Sequence, residues 1–174
     1  MSQDEMIHGP WGALRVVQAR PADLDDALAI DTSAYEWRTS IGFPGGVAPR
    51  PLSELFAASI GRHEMYLARR DDRPAGKLSL QWEDALWQDV PGKAGYVHGL
   101  ATHRDFAGQG IGLALLEWAE RKVAAAGGEY LRLDCDAENP KLRAYYERAG
   151  FTHRGNVALP HRIASRYEKR IEVK

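Results

Sequence analysis

The chain has 174 residues, 44% of them hydrophobic, and this length favours one globular domain over two. Its 23 Lys and Arg residues nearly balance 24 Asp and Glu residues, so no whole-molecule charge attracts nucleic acid or an anionic membrane. The single cysteine, Cys135, excludes an intramolecular disulfide, and no Cys or His spacing is typical of a zinc site. We therefore expect a cytoplasmic protein that needs no metal.

The first third of the chain predicts one strand and two helices. Residues 1–12 lack the apolar core of a signal peptide, so we expect a flexible tail there and a domain over 13–174. Residues 14–19 predict a strand, residues 21 to about 34–36 a helix, and residues 52–60 a second helix. Residues 38–51 hold three glycines and three prolines and predict a loop.

The remainder predicts a hairpin and then alternating strands and helices. The hairpin covers 64–70 and 74–84, and a strand over 96–103 contains Gly99, which indicates a bulge or a close backbone approach. The later elements are helices over 111–126 and 140–150 and strands over 130–136, 151–158 and 166–173. The order βααβββαβαββ predicts a mixed α/β fold with about seven strands and four helices.

Three glycines stand where a strand gives way to a helix. They lie in the stretch HRDFAGQGIG, residues 103–112, as Gly108, Gly110 and Gly112. A helix start leaves about four backbone N–H groups unpaired, and glycine lets an anion approach them. A tight turn alone would explain the glycines equally well. The spacing departs from the Rossmann fingerprint, and the lysine of a Walker loop is absent.

Two motifs resemble those of the GCN5-related N-acetyltransferases (GNAT superfamily). Residues 107–112, AGQGIG, resemble the family's pyrophosphate loop, (Arg or Gln)-x-x-Gly-x-(Gly or Ala), although Ala107 replaces its first residue. A register starting at Gln109 also fits the letters, but it would push the loop into the first turn of the helix. Residues 139–151, NPKLRAYYERAGF, are similar to the second signature, in which an asparagine, here Asn139, precedes a tyrosine, Tyr146, by seven residues. The resemblance covers residues 64–157.

The resemblance implies how an acyl donor is bound. It implies a single α/β domain whose mixed, mostly antiparallel sheet splays at a V-shaped cleft, with acetyl-CoA or another acyl-CoA as cosubstrate. The pyrophosphate would rest on the backbone of Ala107, Gly108, Gln109, Gly110, Ile111 and Gly112. The pantetheine arm would pair with the backbone of Leu100, Ala101 and Thr102, and Leu100 would polarise the thioester. Arg104 or Gln109 is expected to supply the side-chain contact missing at Ala107.

The resemblance also implies a base and an acid. The stretch YVHGLATHRDF is similar to the His-x-His-x-Leu-Ala-Val-His-Arg segment of arylalkylamine N-acetyltransferases, whose second histidine matches His98. His98 is thus the first candidate for the base, with Glu83 and Asp84 as alternatives; a buried structural histidine is the simpler reading. Tyr146 is expected to protonate the departing thiolate, and Tyr145 to pack in the core.

Two further residues carry expectations. Asn139 contacts the pantetheine or only caps the following helix. Cys135 is expected to be an inert core residue, because no base partner for it is evident.

The acyl acceptor is predicted only by class. Loop 38–50 and segments 81–89 and 156–165 are expected to form its pocket, with Trp37, Trp82 and Trp87 available to stack on it. We expect an N-acetyltransferase for a primary amine of a small molecule or peptide. A non-catalytic acyl-CoA-binding module, or an acyltransferase using another donor such as aminoacyl-tRNA, stays an alternative, and the sequence leaves homodimer formation open.

Overall fold

The computed structural model describes residues 4–43 and 50–172, and this part of the chain contains four α-helices and eight strands. The elements, in chain order, are β1 (Glu5–Gly9), β2 (Gly12–Gln18), α1 (Leu24–Ser40), α2 (Leu52–Gly61), β3 (Met65–Arg70), β4 (Arg73–Gln81), β5 (Ala94–Thr102), α3 (Ile111–Ala125), β6 (Tyr130–Asp136), α4 (Pro140–Arg148), β7 (Thr152–Ala158) and β8 (Ile163–Arg170).

The strands form one mixed sheet in the order β1-β2-β3-β4-β5-β6-β8-β7. Strands β5 and β6 are parallel, with Ala94–Tyr96 in register with Tyr130–Arg132, and α3 lies in the connection that such a pair requires. The pairs β1–β2, β2–β3, β3–β4, β6–β8 and β7–β8 are antiparallel. The predicted α/β fold with a mostly antiparallel mixed sheet is confirmed, with eight strands in the described residues instead of seven.

The additional strand is β1, so the prediction of a flexible tail over residues 1–12 is wrong for residues 5–9. β1 pairs with β2 from Glu5 opposite Val16 to Gly9 opposite Gly12. Pro10 and Trp11 form the turn between them. The strand is short and alternates between half-buried and exposed residues, so its own sequence shows no strong apolar pattern. Its backbone hydrogen bonds come from pairing with β2, which the sequence of β1 alone does not reveal.

Several other boundaries differ from the prediction by a few residues, among them the end of β4, which lies at Gln81 instead of residue 84. Helix α1 continues to Ser40 instead of ending near residues 34–36, because the first glycine able to end it is Gly42, whose φ is +84°. Strand β8 starts at Ile163 rather than 166. Its inward-facing residues include Arg166 and Glu168, and buried charged residues obscure the apolar alternation that marks a strand.

The chain divides into two compact units, residues 1–80 with 99–116 and residues 81–98 with 117–174. In the first unit, α1 and α2 pack on the inner strands. The buried residues of this core are Val17, Ala19, Ala27, Ile30, Ala34, Phe56, Ile60, Met65, Leu67 and Ala101. Gly76 on β4 lets the start of α3 approach closely, since a Cβ there would lie 3.0 Å from Leu115 and 3.2 Å from Ile111.

In the second unit, Arg132 on β6 is fully buried and organises the segment before β5. Its Nε donates to Glu168 Oε2 at 2.7 Å, and its Nη atoms donate to the carbonyls of Val90 and Pro91. The guanidinium also lies 5.1–6.0 Å from the centres of three rings, those of Trp87, Tyr96 and Tyr130. Arg132 thereby fixes the segment that carries Asp84 and Asp89.

Candidate active site

The glycine loop in the first unit presents unpaired backbone donors. Gly108 and Gly110 have φ values of +74° and +83°, the left-handed region that favours glycine. Within the described residues, the N–H groups of residues 108–112 make no hydrogen bond, and the 15-residue helix α3 begins at Ile111. A Cβ on Gly108 would meet nothing within 4 Å, so there is open space at the loop. This geometry suits an anion.

The side chains expected to supplement the loop have partners among the described residues. The side-chain carbonyl of Gln109 is held by Arg70, because its Oε1 accepts a hydrogen bond from Arg70 Nη1 at 2.7 Å. The Arg104 guanidinium lies 4.3 Å from the Trp37 ring. Ala107 donates its N–H to the Arg104 carbonyl and has no side-chain donor to offer. Arg70 on β3, which the sequence did not single out, is the cation next to Gln109.

The predicted pantetheine segment, Leu100–Thr102, follows a fixed backbone point at Gly99. The buried Lys77 donates from Nζ to the Gly99 carbonyl at 2.8 Å and lies 3.3 Å from Asp31 Oδ1. Burial lowers the pKa of Lys77, and the Asp31 carboxylate opposes that shift without cancelling it. Gly99 has a φ of +60°, and a Cβ there would lie 3.2 Å from Lys77 Nζ. The close approach predicted at Gly99 is therefore confirmed.

In the second unit, His98 on β5 faces Asp84. Asp84 caps the 3₁₀ turn Ala85–Trp87 by accepting from the Leu86 N–H at 2.8 Å. The other carboxylate oxygen of Asp84, Oδ2, lies 3.2 Å from His98 Nε2. The angle of this contact falls outside hydrogen-bond geometry, so among the described residues Nε2 has no hydrogen-bond partner. Partial burial raises the pKa of Asp84, but His98 and the Leu86 N–H outweigh it, and the net pKa is lower than usual. The pair is an ionised carboxylate beside an imidazole.

His98 and Asp84 line a cavity of about 680 Å³ within the second unit. Its lining also includes Leu86, Gln88 and Asp89 from segment 81–89, and Val157, Leu159 and Arg162 from segment 156–165. Two of the three segments predicted to surround the acceptor thus share one cavity. Of the third, loop 38–50, residues 44–49 lie outside the described part of the chain.

Two ion pairs fix the charges of this cavity. Arg162 Nη2 lies 2.6 Å from Asp134 Oδ2, and Arg166 Nη1 lies 2.6 Å from Asp89 Oδ1. Ligand atoms of Asp84, His98 and Asp134 come within 4.8 Å of one another, close enough to share a cation. The Asp134 carboxylate is already paired with the Arg162 guanidinium, so we assign no metal to these three residues. Asp134 and Arg162 were not predicted from the sequence.

The three tryptophans proposed to stack on an acceptor differ in exposure. Trp87 is 1% exposed and lies 5.1 and 5.2 Å from the guanidinium groups of Arg132 and Arg166. It is a core residue, and the prediction that it stacks on a ligand is wrong. Trp82 and Trp37 are exposed. Neither is among the residues that line the cavity.

Tyr146 on α4 is the more buried of two neighbouring tyrosines. It is 6% exposed, and its ring contacts those of Tyr145, Phe151 and Tyr167 at 5.4–6.2 Å, whereas Tyr145 is half-buried. The expectation that Tyr145 takes the core position is thus wrong. Burial raises the pKa of Tyr146, so its hydroxyl keeps its proton. Among the described residues, none forms a hydrogen bond with that hydroxyl.

Asn139 and Cys135 have the structural roles that the sequence allowed. Asn139 Oδ1 accepts from the Leu142 N–H at 3.1 Å, which confirms the helix cap. Cys135 is buried, and burial followed by the Asp134 charge raises the pKa of its thiol to about 11. At that value the thiolate is scarce at neutral pH, which agrees with an inert core cysteine.

Comparison with known proteins identifies the class. The family model described as "Acetyltransferase (GNAT) family" matches residues 32–151. An uncharacterized N-acetyltransferase, YesJ of Bacillus subtilis (strain 168), is 30% identical over 165 residues, which cover 88% of this chain and 89% of the relative.

Solved structures agree on the fold. A GNAT-family acetyltransferase from Listeria monocytogenes 4b F2365 superposes with a TM-score of 0.75 at 20% identity, over 95% of this chain and 99% of that one. The PaiA N-acetyltransferase of Thermoplasma acidophilum, solved in complex with coenzyme A, gives 0.65 at 16% identity, over 90% and 98%.

The fold is therefore that of an acetyltransferase. The chain belongs to the GNAT acetyltransferase family, since the family model spans more than half of it. In the part of the chain that the structure describes, no helix is both long and apolar enough to cross a membrane.

Proposed function

We propose that this protein transfers an acetyl group from acetyl-CoA to a primary amine of a small molecule or peptide. The observation that carries the proposal is the run of unpaired N–H groups over residues 108–112 at the start of α3. Aligned backbone donors at a helix N-terminus favour a pyrophosphate. They require no side chain at position 107, so Ala107 is compatible with a CoA donor. The structure of the PaiA acetyltransferase, which shares the fold, was solved in complex with coenzyme A.

The cavity of the second unit supports an amine acceptor. Its charged lining is mostly acidic, with Asp84, Asp89, Asp134 and Arg162, and the apolar side chains of Leu86, Val157 and Leu159 complete it. Arg162 and Arg166 already neutralise Asp134 and Asp89, so Asp84 is the carboxylate left beside His98. An amine attached to a compact apolar group matches this lining better than an anion does.

His98 is the base in this proposal, and Asp84 is a positioning residue. A proton on Nε2 would face the Asp84 carboxylate, which leaves Nδ1 as the basic nitrogen. The neutral amine attacks the thioester carbonyl: a C–N bond forms, the C–S bond breaks, and the surplus proton on nitrogen passes to His98. The hydroxyl of Tyr146 protonates the sulfur, and solvent returns both side chains to their resting states.

The test is the release of free thiol from acetyl-CoA with a panel of primary amines, compared with alcohols and carboxylates of matched size. We expect release that depends on the amine and increases with its neutral fraction. Tight CoA binding without turnover on any amine would favour a non-catalytic module. Absence of CoA binding, restored by Ala107→Arg, would favour another donor.

A further inference from the structure

The indole of Trp11 lies against the glycine loop. Trp11 forms the turn between β1 and β2, in the same unit as the loop. A Cβ placed on Gly110 would have Trp11 Nε1 as its one neighbour within 4 Å, at 3.7 Å. The polar end of the indole is therefore the side-chain atom closest to the face on which Gly110 would admit an anion.

The N–H of this indole is free for a ligand. Trp11 is 9% exposed, yet its Nε1 forms no hydrogen bond with any described residue. The Nε1 atom is not fully enclosed by protein, so a ligand can reach its N–H from solvent. A largely buried indole normally finds a partner for its N–H. Its neighbour Gly110 belongs to residues 108–112, whose N–H groups are unpaired, so the group as a whole lacks an acceptor.

The β1–β2 hairpin fixes the position of the Trp11 ring. A Cβ on Gly9 would come within 2.5–2.8 Å of three carbons of the Trp11 ring, so the ring packs directly on the glycine backbone. Gly12 has a φ of +94°, which lets the chain reverse just after Trp11. The β1–β2 pairing from Glu5 to Gly9 then holds the turn in place.

We propose that Trp11 donates its indole N–H to the pyrophosphate of the CoA donor and supplies the side-chain contact that Ala107 cannot make. This rests on the proposed function, because it assumes that the glycine loop binds CoA. The N-terminal hairpin thus becomes part of the donor site. Loss of a hydrogen bond to a charged acceptor corresponds to an affinity change of about tenfold or more.

Trp11→Phe tests this, since it removes the N–H and keeps an aromatic ring. We expect the Kd for CoA, measured by calorimetry on the full chain, to rise about tenfold with little change in Tm. The control is Trp82→Phe, an exposed tryptophan outside the unit that holds the loop, which should leave the Kd unchanged. Dephospho-CoA keeps the pyrophosphate and lacks the 3′-phosphate, so the same loss should appear with it.

Gly9→Ala provides a second test that leaves Trp11 intact. The added methyl must displace the indole, so CoA affinity should fall, whereas Gly61→Ala, with no atom within 4 Å of the new Cβ, should not change it. Adding Ala107→Arg to Trp11→Phe should recover part of the affinity. Equal CoA binding by wild type and Trp11→Phe, or a loss absent with dephospho-CoA, would overturn the inference alone. No CoA binding by the wild type would overturn the proposed function itself.

Discussion

The Oδ2 atom of Asp84 lies 3.2 Å from Nε2 of His98, and both residues line the cavity of the second unit. Asp84 is held in turn by the Leu86 N–H. A carboxylate close to one ring nitrogen favours a proton on that nitrogen and leaves the other nitrogen as a proton acceptor. This relationship distinguishes the three candidates for the base that the sequence left open: we propose that His98 is the base and that Asp84 positions it, whereas Glu83 is an exposed neighbour.

His98→Gln should remove the base. We expect kcat/KM for the amine to fall about 100-fold near neutral pH, because positioned general bases contribute at least that factor, and the dependence of the rate on pH to become weaker. CoA binding should be retained. Steady-state kinetics across pH, with Glu83→Gln as the matched control, decide this. A large effect of Glu83→Gln with none for His98→Gln would reverse the assignment.

Asp84→Asn should show a pH-dependent change in stability. The folded-state pKa of Asp84 is lower than usual, so its ionised form stabilises the fold above the ordinary carboxyl pKa of about 3.9. That contribution is lost as the pH falls through the lower folded-state pKa. The free energy of unfolding of the variant should therefore be smaller than that of the wild type at pH 7, and the gap should close in acid. Urea titrations at several pH values measure it, and a constant gap would contradict the account.

Tyr146→Phe should separate turnover from binding. The ring packs among Phe151, Tyr167 and Tyr145, and Phe preserves that packing, so Tm and the Kd for CoA should hardly change. Loss of the proton donor should lower kcat by about 100-fold. Tyr145→Phe is the neighbouring control and should keep near-normal kcat. If both variants turn over at the wild-type rate, Tyr146 is only a core residue.

Arg132→Met should destabilise the second unit strongly. The guanidinium is buried against Glu168, and removing one partner of a buried pair typically lowers the free energy of unfolding by about 3 kcal/mol or more. Arg154 contacts the same carboxylate at 2.9 Å, but its side chain is 44% exposed. Arg154→Met should therefore lose less than about 1 kcal/mol. Similar losses for both, by chemical denaturation, would contradict the central role of Arg132.

Local sequence patterns predicted one half of the candidate site. The glycine loop is contiguous in the chain, and Asn139 caps the helix that contains Tyr146. Both motifs can therefore be recognised from residues that are close together in the sequence. The α/β order and most element boundaries follow from periodicities of the same short range. Gly99 was recognisable because glycine inside a strand is unusual.

The other half depends on residues far apart in the chain. Asp134 and His98 come together only through the parallel pairing of β5 with β6, and Arg162 reaches Asp134 from the turn before β8. Arg132 looks like a surface residue by type, and its burial depends on Glu168 and three aromatic rings. Trp11 was placed in a tail because β1 becomes a strand only when it pairs with β2.

The decisive measurement is the release of free thiol from acetyl-CoA in the presence of a primary amine. We predict continuous release that requires the amine, yields the N-acetyl product by mass spectrometry, and falls about 100-fold in both His98→Gln and Tyr146→Phe. Tight CoA binding with no thiol release across the amine panel would contradict this prediction.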